Sequence, residues 1–281
     1  MLVVNKSVGE TPLECLERTR REKWIDVNVP MTYAGRLDPL ASGKLLLLIG
    51  EECKEKEKYL GLDKEYEIEV LFGVGTDTGD ALGLITQVDR QTHAMTYSEG
   101  LVSKGYPWTK FCGKFTQVYP AYSSKTVCPR SDLGQVQDKI SERFHLGKKR
   151  HLHDLARSGE LPDEMPTKEV EIYSIEELAR KGMDKGRNRA KKQLDFIGGN
   201  DLAERAIENV SKVNGDFRQK EIIEGWKKFE SEHGAENFLV IKLRVSCGSG
   251  TYMRSLAERI GREAGTATFA LSIERTKIGE F

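Results

Sequence analysis

One short stretch near the N-terminus restricts the fold more than any other part of the chain: Gly35-Arg36-Leu37-Asp38-Pro39-Leu40-Ala41-Ser42-Gly43. The proline has a fixed backbone angle and biases the preceding residue towards an extended conformation. The flanking glycines permit tight bends or the close approach of another segment, and an apolar strand follows at 44–49. The stretch therefore predicts a rigid loop that presents Asp38, either as a functional carboxylate or within an ordinary turn with an Asx-type hydrogen bond.

Periodic patterns predict a mixture of strands and helices. Short strands are indicated at 2–4, 66–72 and 239–246, the last two by the alternation of apolar and polar residues. A glycine-rich turn then precedes a helix that begins near Tyr252 and ends near Gly265. Because strands and helices do not alternate regularly, the chain is predicted to be an α+β protein.

Two Ser/Thr-x-x-Glu patterns predict the starts of further helices. The first, at 11–14, has proline in its second position and predicts a helix with Leu13, Leu16 and Trp24 on its buried side. The second, at 174–177, predicts another short helix that ends near Lys181.

The composition excludes several classes of protein. The 281 residues are 38% hydrophobic, and 44 basic residues balance 44 acidic ones, so any surface for nucleic acid must be a local basic patch. The five cysteines are widely spaced, which favours reduced thiols over a zinc ribbon or a disulfide framework. The chain has neither an apolar run of about 18 residues nor a secretion signal, and we expect a cytoplasmic protein.

Residues 183–236 differ from the rest of the chain in being rich in charge and helix formers. They are predicted to form a helical insertion with helices at 201–213 and 219–233. The insertion either binds RNA or only covers a sheet. Two basic runs, 148–150 and 180–192, are likewise either solvated surface or phosphate contacts.

Several motifs, taken together and in order, resemble those of the TruB-type tRNA pseudouridine synthases. They are GRLDPLASG at 35–43, KYL and DKEY within 58–66, GVGTDTGDALG at 73–83, CGSGTYMR at 247–254 and RTKIGEF at 275–281. Each motif alone is weak evidence, and the shared order over most of the chain carries the resemblance.

The resemblance implies the pseudouridine synthase fold, in which helices flank a mixed, largely antiparallel central sheet. It implies a single catalytic domain over 1–281 that contains the insertion 183–236, without the C-terminal PUA module that many relatives carry. It also implies an isomerase that needs neither a cofactor nor a metal.

The resemblance also assigns roles to individual residues. Asp38 is the essential carboxylate, Arg254 is the cation that keeps it ionised, and Tyr66 stacks against the flipped-out base, with its hydroxyl as a second candidate role in removing the C5 proton. Without the resemblance, the ordinary interpretations are a turn aspartate, a surface arginine at a helix start and a core tyrosine. Substrate-binding positions implied by the same motifs are Lys6, Tyr33, Arg36, Lys64, Asp80, Tyr252 and Ile273.

Four positions depart from the family pattern. Tyr33 replaces a histidine, and the first lysine motif around Lys6 lacks its usual proline. The spacing before Lys125 is one residue short, and Glu274 stands where a basic residue is usual. These differences concern substrate binding more than the type of reaction.

The function implied by the resemblance is the isomerisation of uridine to pseudouridine in the T loop of tRNA, at position 55. Asp38 attacks the ribose carbon C1′, stabilises its charge or removes a sugar proton, and the sequence leaves all three roles open. Two alternatives are the same chemistry on another structured RNA, and a tRNA-binding folding helper with little activity. The expected partner is tRNA, with no membrane and no obligate protein partner, and we expect a monomer.

Overall fold

The computed structural model describes residues 1–89, 107–127, 149–178 and 195–281. Its strands are β1 (Leu2–Lys6), β2 (Met31–Ala34), β3 (Ser42–Ile49), β4 (Lys64–Phe72), β5 (Val74–Thr76), β6 (Ile85–Val88), β7 (Gly113–Val118), β8 (Thr126–Val127), β9 (Arg150–His151), β10 (Thr167–Glu177), β11 (Asp195–Gly198), β12 (Asn237–Cys247) and β13 (Thr268–Ile278). Its α-helices are α1 (Pro12–Glu22), α2 (Lys56–Leu60), α3 (Leu152–Ser158), α4 (Gly199–Ser211), α5 (Gln219–His233) and α6 (Met253–Ala264). Short 3₁₀ turns lie at Gly50–Glu55 and Trp108–Phe111.

The chain divides into two compact units, one made of 1–114 with 170–281 and the other of 115–169. The first unit contains a sheet in the order β1-β3-β13-β4-β12-β10, with β2 beside β3 and β11 beside β12. The pairing of β3 with β13 is parallel, and the other pairs along this order are antiparallel. The predicted α+β architecture with a mixed, largely antiparallel sheet is confirmed.

The parallel pair at the centre of the sheet depends on a glycine. Gly43 has a φ of +101°, and a Cβ built on it would lie 2.4 Å from the carbonyl oxygen of Arg275. Only glycine allows the two backbones this approach, which brings the end of the Asp38 loop beside β13.

The start of α1 agrees with the sequence pattern, but its buried face differs. Thr11 caps the helix, since its Oγ1 accepts a hydrogen bond from the Glu14 amide at 3.2 Å and its own amide donates to Glu14 Oε2 at 2.7 Å. Leu16 is buried as predicted, whereas Leu13 and Trp24 are 58% and 94% exposed. The prediction for these two residues was wrong because the face of α1 that packs on the sheet passes through Cys15 and Leu16 instead.

The prediction of a helix at 174–177 was also wrong. These residues continue β10, which pairs with residues 243–246 of β12 after a bulge. Pairing along a neighbouring strand outweighs the local preference of a capping pattern.

The helix that follows β12 was predicted correctly. α6 buries Met253, Leu256, Ala257 and Ile260, and it ends at Gly265 in the left-handed conformation. Because α6 packs on β13 and β4, its first turn is held in a fixed position against the sheet.

The two helices predicted within 183–236 are present as α4 and α5. Their buried residues form a common core cluster with Leu71 of β4 and Phe269 of β13. The part of this stretch that the structure describes, 195–236, is thus built into the core of the first unit. Residues 183–194, including most of the basic run 180–192, lie outside the described residues.

The second unit, 115–169, contains most of β7, the start of β10, the β8–β9 pair and α3. In the described part of the chain, α3 buries Leu152 and Leu155. Lys148 and the residues before it back to 128 are outside the described part.

Within the described ranges, none of the helices is long and apolar enough to cross a membrane.

Candidate active site

The loop that follows β2 presents Asp38 at the surface of the sheet. Gly35 begins the turn with a φ of +79°, Leu37 is buried, and the Asp38 side chain remains 35% exposed. The Ala41 amide donates to the Asp38 carbonyl at 3.0 Å and closes the turn. The carboxylate therefore reaches solvent from a backbone that is anchored on both sides.

Two buried cations hold this loop by its carbonyl oxygens. Arg275 on β13 donates from Nε to the Lys44 carbonyl at 2.7 Å and from Nη2 to the Gly35 carbonyl at 3.1 Å. Lys6 at the end of β1 donates from Nζ to the Pro39 carbonyl at 3.2 Å. Both side chains are fully or almost fully buried, so their donors need partners within the protein, and these carbonyl oxygens provide them.

The guanidinium of Arg254 lies against Asp38. Arg254, in the first turn of α6, donates from Nε to Asp38 Oδ2 at 2.8 Å and from Nη1 to the Thr78 carbonyl at 2.6 Å. Its Nε is also 3.7 Å from Asp80 Oδ2. Burial disfavours the charge of Arg254, but Asp38 and Asp80 outweigh burial and hold the pKa of its guanidinium above the ordinary value.

The second carboxylate of the cluster, Asp80, is almost fully buried. Its Oδ1 accepts hydrogen bonds from Thr78 Oγ1 at 2.7 Å and from the Leu82 amide at 3.0 Å. Burial raises the pKa of the Asp80 carboxyl above its ordinary value, Arg254 opposes this shift, and Asp38 adds to it. Of the two acids that share Arg254, Asp38 is the one that is open to a ligand.

Tyr66 lies on β4, in register with Arg275 of β13. Burial raises the pKa of the Tyr66 phenol, while the charge of Arg275 and a hydrogen bond with it oppose the shift. The net effect keeps Tyr66 a neutral phenol at physiological pH. The charge of Asp38 also raises the pKa of Tyr66, so these two residues lie within electrostatic range of each other, and Arg254 contacts Asp38 directly.

The positions predicted to bind substrate fall into three groups. Asp80, Tyr252 and Ile273 belong to the loop, helix start and strand that surround Arg254 and Tyr66: Tyr252 precedes α6 and is half-buried, and Ile273 on β13 is 8% exposed. Tyr33 and Arg36 lie together, with the Arg36 guanidinium 6.0 Å from the Tyr33 ring centre.

The remaining group consists of Lys6 and Lys64, whose ammonium groups are directed at the backbone. Lys64 donates from Nζ to the Leu60 carbonyl at 2.8 Å and also to the Leu62 carbonyl. Lys6 donates to the Ser7 carbonyl at 2.8 Å besides its bond to Pro39. These contacts favour a role for both lysines in holding loops rather than in touching a ligand directly.

Sequence reasoning did not single out Arg275 or Thr78 as site residues. Arg275 was part of the C-terminal motif, but only the register of β13 with β4 and β3 reveals that it supports the Asp38 loop. Thr78 contributes its carbonyl to Arg254 and its hydroxyl to Asp80. Among residues 1–89, 107–127, 149–178 and 195–281, no group of three or more His, Cys, Asp or Glu side chains could hold a metal ion.

Such a site, a solvent-accessible aspartate ion-paired to a buried arginine on an α+β sheet, suits chemistry at a carbon that develops positive charge. A family model described as TruB family pseudouridylate synthase (N terminal domain) matches residues 27–131.

Curated relatives match the whole chain or nearly all of it. The tRNA pseudouridine synthase B of Bifidobacterium longum subsp. infantis is 25% identical, over 100% of this chain and 63% of its own length. That of Nostoc sp. is 27% identical over 99% of this chain and 67% of its length. The tRNA pseudouridine synthase 4 of Saccharomyces cerevisiae is 24% identical over 88% of this chain and 60% of its length. The chain thus spans 60–67% of the length of these relatives.

Among solved structures, the chain resembles that of a Cbf5-Nop10-Gar1 complex, with 14% identity, a TM-score of 0.48, and coverage of 99% of this chain and 49% of that chain. The chain is thus similar to TruB-type pseudouridylate synthases, over residues 27–131 in the family model and over most of its length in the curated relatives.

Proposed function

We propose that this protein converts a uridine in tRNA to pseudouridine, in the T loop and at position 55 by family resemblance. The observation that carries the proposal is the exposed Asp38 carboxylate 2.8 Å from the buried Arg254 guanidinium, on the motif that the family resemblance assigns to catalysis. The relatives that match this chain over its length are named tRNA pseudouridine synthases, which supports tRNA as the substrate.

The reaction breaks the N1–C1′ bond of the uridine and joins C5 of the same base to C1′. The base rotates between the two steps, C5 loses its proton, and N1 gains one, so no atoms are exchanged with another substrate. Positive charge develops at C1′ as the bond to N1 breaks, in the manner of glycoside cleavage. An ionised Asp38 next to that carbon stabilises the charge, attacks the carbon or removes a sugar proton.

Arg254 offers the Asp38 carboxylate a positive counter-charge in direct contact. Its second donor, to the Thr78 carbonyl, fixes its orientation. Asp80 lies 3.7 Å from the Arg254 Nε, and this carboxyl compensates for placing a cation at a helix N-terminus.

Tyr66 is proposed to stack against the extruded base. Removing a base from the RNA stack costs a few kcal/mol, and an aromatic face returns about 1–3 kcal/mol per base. The raised pKa of Tyr66 favours this role over proton removal from C5, because a phenolate is the better base and is disfavoured here.

Within the proposal, residues 1–281 act as one catalytic domain, and Tyr33 with Arg36 contacts the RNA next to the reacting nucleotide. A cytoplasmic monomer without an obligate protein partner stays a prediction from the sequence.

The test is an assay with unmodified tRNA that carries tritium at C5 of its uridines. Tritium is released when C5 loses its proton, and pseudouridine is then mapped in the product. The proposal expects release from wild-type tRNA and none from tRNA with cytidine at position 55. Folded protein that releases no tritium would contradict the proposal, and pseudouridine found only at other positions or only in another RNA would overturn the choice of substrate.

A further inference from the structure

The loop from Asp77 to Leu84 connects β5 to β6 and carries the groups that hold Arg254. We call it the Asp77–Leu84 loop. Its ends are joined because the Asp77 amide donates to the Leu84 carbonyl at 3.0 Å and the Leu84 amide donates to Asp77 Oδ1 at 2.9 Å. Inside it lie Asp80 and the Thr78 carbonyl that accepts from Arg254. The position of Arg254 therefore depends on the conformation of this loop.

The insertion makes a two-point ion pair with the beginning of the Asp77–Leu84 loop. Arg218, immediately before α5, donates from Nη1 to Asp77 Oδ2 at 2.8 Å and from Nη2 to Asp77 Oδ1 at 3.2 Å. Both side chains are about three-quarters buried. This geometry restricts the direction as well as the distance of Asp77.

The backbone of Arg218 is itself in an unusual state. Its φ of +62° lies in the left-handed region, which non-glycine residues rarely adopt. Unfavourable backbone conformations persist where surrounding contacts enforce them, and they are concentrated at functional positions. The paired guanidinium is such a contact.

A second contact joins α5 to the same loop. Trp226, which is fully buried, donates from Nε1 to the Ala81 carbonyl at 3.3 Å. Ala81 and Leu82 also belong to the core cluster that contains the buried faces of α4 and α5. The insertion thus touches the loop at both Asp77 and Ala81, on either side of Asp80.

We propose that Arg218 is a positioning residue that, through Asp77, orients the Asp77–Leu84 loop and so holds Arg254 against Asp38. The catalytic part of this inference rests on the proposed function, whereas the structural part does not. The insertion would then contribute to the rate of the reaction without touching the RNA.

The test compares Arg218→Gln with a control in the same insertion. Arg205 of α4 forms an ion pair from Nη2 to Glu69 Oε2 at 2.5 Å, which joins the insertion to β4 without touching the loop. Arg205→Gln therefore removes a similar pair and is expected to leave the reaction unchanged. Asp77→Asn and the double variant with Arg218→Gln complete the set.

The first readout is independent of activity. The Nε–H of Arg254, bonded to Asp38, gives an NMR signal that is assigned by its loss in Arg254→Lys. The proposal expects Arg218→Gln and Asp77→Asn to shift this signal and to speed amide exchange at Leu82 and Leu84, and expects Arg205→Gln to do neither. An unchanged Arg254 signal in folded Arg218→Gln would overturn the proposal, even if the wild-type protein proves inactive on tRNA.

The second readout is the reaction itself. Arg218→Gln is expected to lower kcat about ten-fold, because small errors in catalytic geometry are costly, with little change in KM for tRNA. The double variant is expected to be no slower than either single variant, and Arg218→Lys to be intermediate, since an ammonium cannot bind both oxygens in the same way. A raised KM with unchanged kcat would contradict the proposal and point to RNA contact instead. A decrease in the kcat of Arg218→Gln no larger than that of Arg205→Gln would also contradict the proposal.

Discussion

Buried cations are used at this site to organise backbone as well as to balance charge. Arg275 donates to the Gly35 carbonyl of the Asp38 loop and to the Lys44 carbonyl of β3, and Lys6 donates to the Pro39 carbonyl. Arg254 instead directs one donor at the Asp38 carboxylate. The loop can therefore remain rigid while its one acidic side chain stays available to a ligand.

The stability of the protein should depend on pH through Lys6. Burial lowers the pKa of Lys6 from 10.5 to about 8, so between these values the unfolded chain binds more protons than the folded protein. The free energy of unfolding should then rise with pH from about 8 to 10.5. The full difference corresponds to roughly 3 kcal/mol.

The measurement compares wild type with Lys6→Met by urea unfolding across this pH range, since methionine has a similar length and does not titrate. The wild-type protein is expected to gain stability relative to the variant as pH rises. A constant difference would mean that the surrounding carbonyls keep the ammonium charged in the folded protein.

At the scale of single elements, α1 ends in an unusual way. The Trp24 amide donates to the Arg21 carbonyl and the Ile25 amide to the Arg20 carbonyl, which is the Schellman pattern that normally has glycine where Trp24 lies. Trp24 has a φ of +53° and is 94% exposed. The left-handed backbone of Trp24 therefore has a free-energy cost that burial of the ring does not offset.

Replacing Trp24 by glycine should stabilise the protein, whereas replacing it by alanine should not. The Trp24→Gly variant is expected to have a free energy of unfolding about 1 kcal/mol higher than that of the Trp24→Ala variant, because only glycine adopts the left-handed backbone without strain. Thermal and urea unfolding of the two variants measure the difference. Equal stabilities, or a more stable alanine variant, would show that the backbone there is not strained.

How far the elements could be predicted from sequence depends on how local their causes are. The strand β12 and the helix α6 were predicted correctly. The apolar–polar alternation of β12 and the apolar face of α6 are both patterns within one continuous stretch of sequence. The end of β10 was mispredicted because its pairing with β12 is not local. The ion pair between Arg218 and Asp77 joins residues 141 apart, and neither motif nor periodicity could reveal it.

At the scale of the molecule, the described part of the insertion is a structural component of the first unit. Trp226 packs edge-on against Phe229 and Phe269, with ring centres 5.3 Å and 6.0 Å away. The two possibilities left by the sequence were RNA binding and coverage of the sheet, and residues 195–236 provide the second.

Trp226→Ala should therefore destabilise the protein strongly, by about 3 to 5 kcal/mol. Trp24→Ala is the matched control, because it removes the same side chain from a position that is 94% exposed and should change the free energy of unfolding little. Urea unfolding of both variants checks this expectation. Similar losses for the two tryptophans would contradict the assignment of 195–236 to the core.

The most direct test of the whole account is the activity of Asp38→Asn on unmodified tRNA. The amide keeps the size of the side chain but cannot carry the charge that C1′ requires. We expect no pseudouridine even with enzyme in excess, a tRNA dissociation constant close to that of wild type, and full activity of the control Asp26→Asn, which alters an exposed aspartate. Pseudouridine formed by Asp38→Asn at a rate near that of wild type would contradict the central claim.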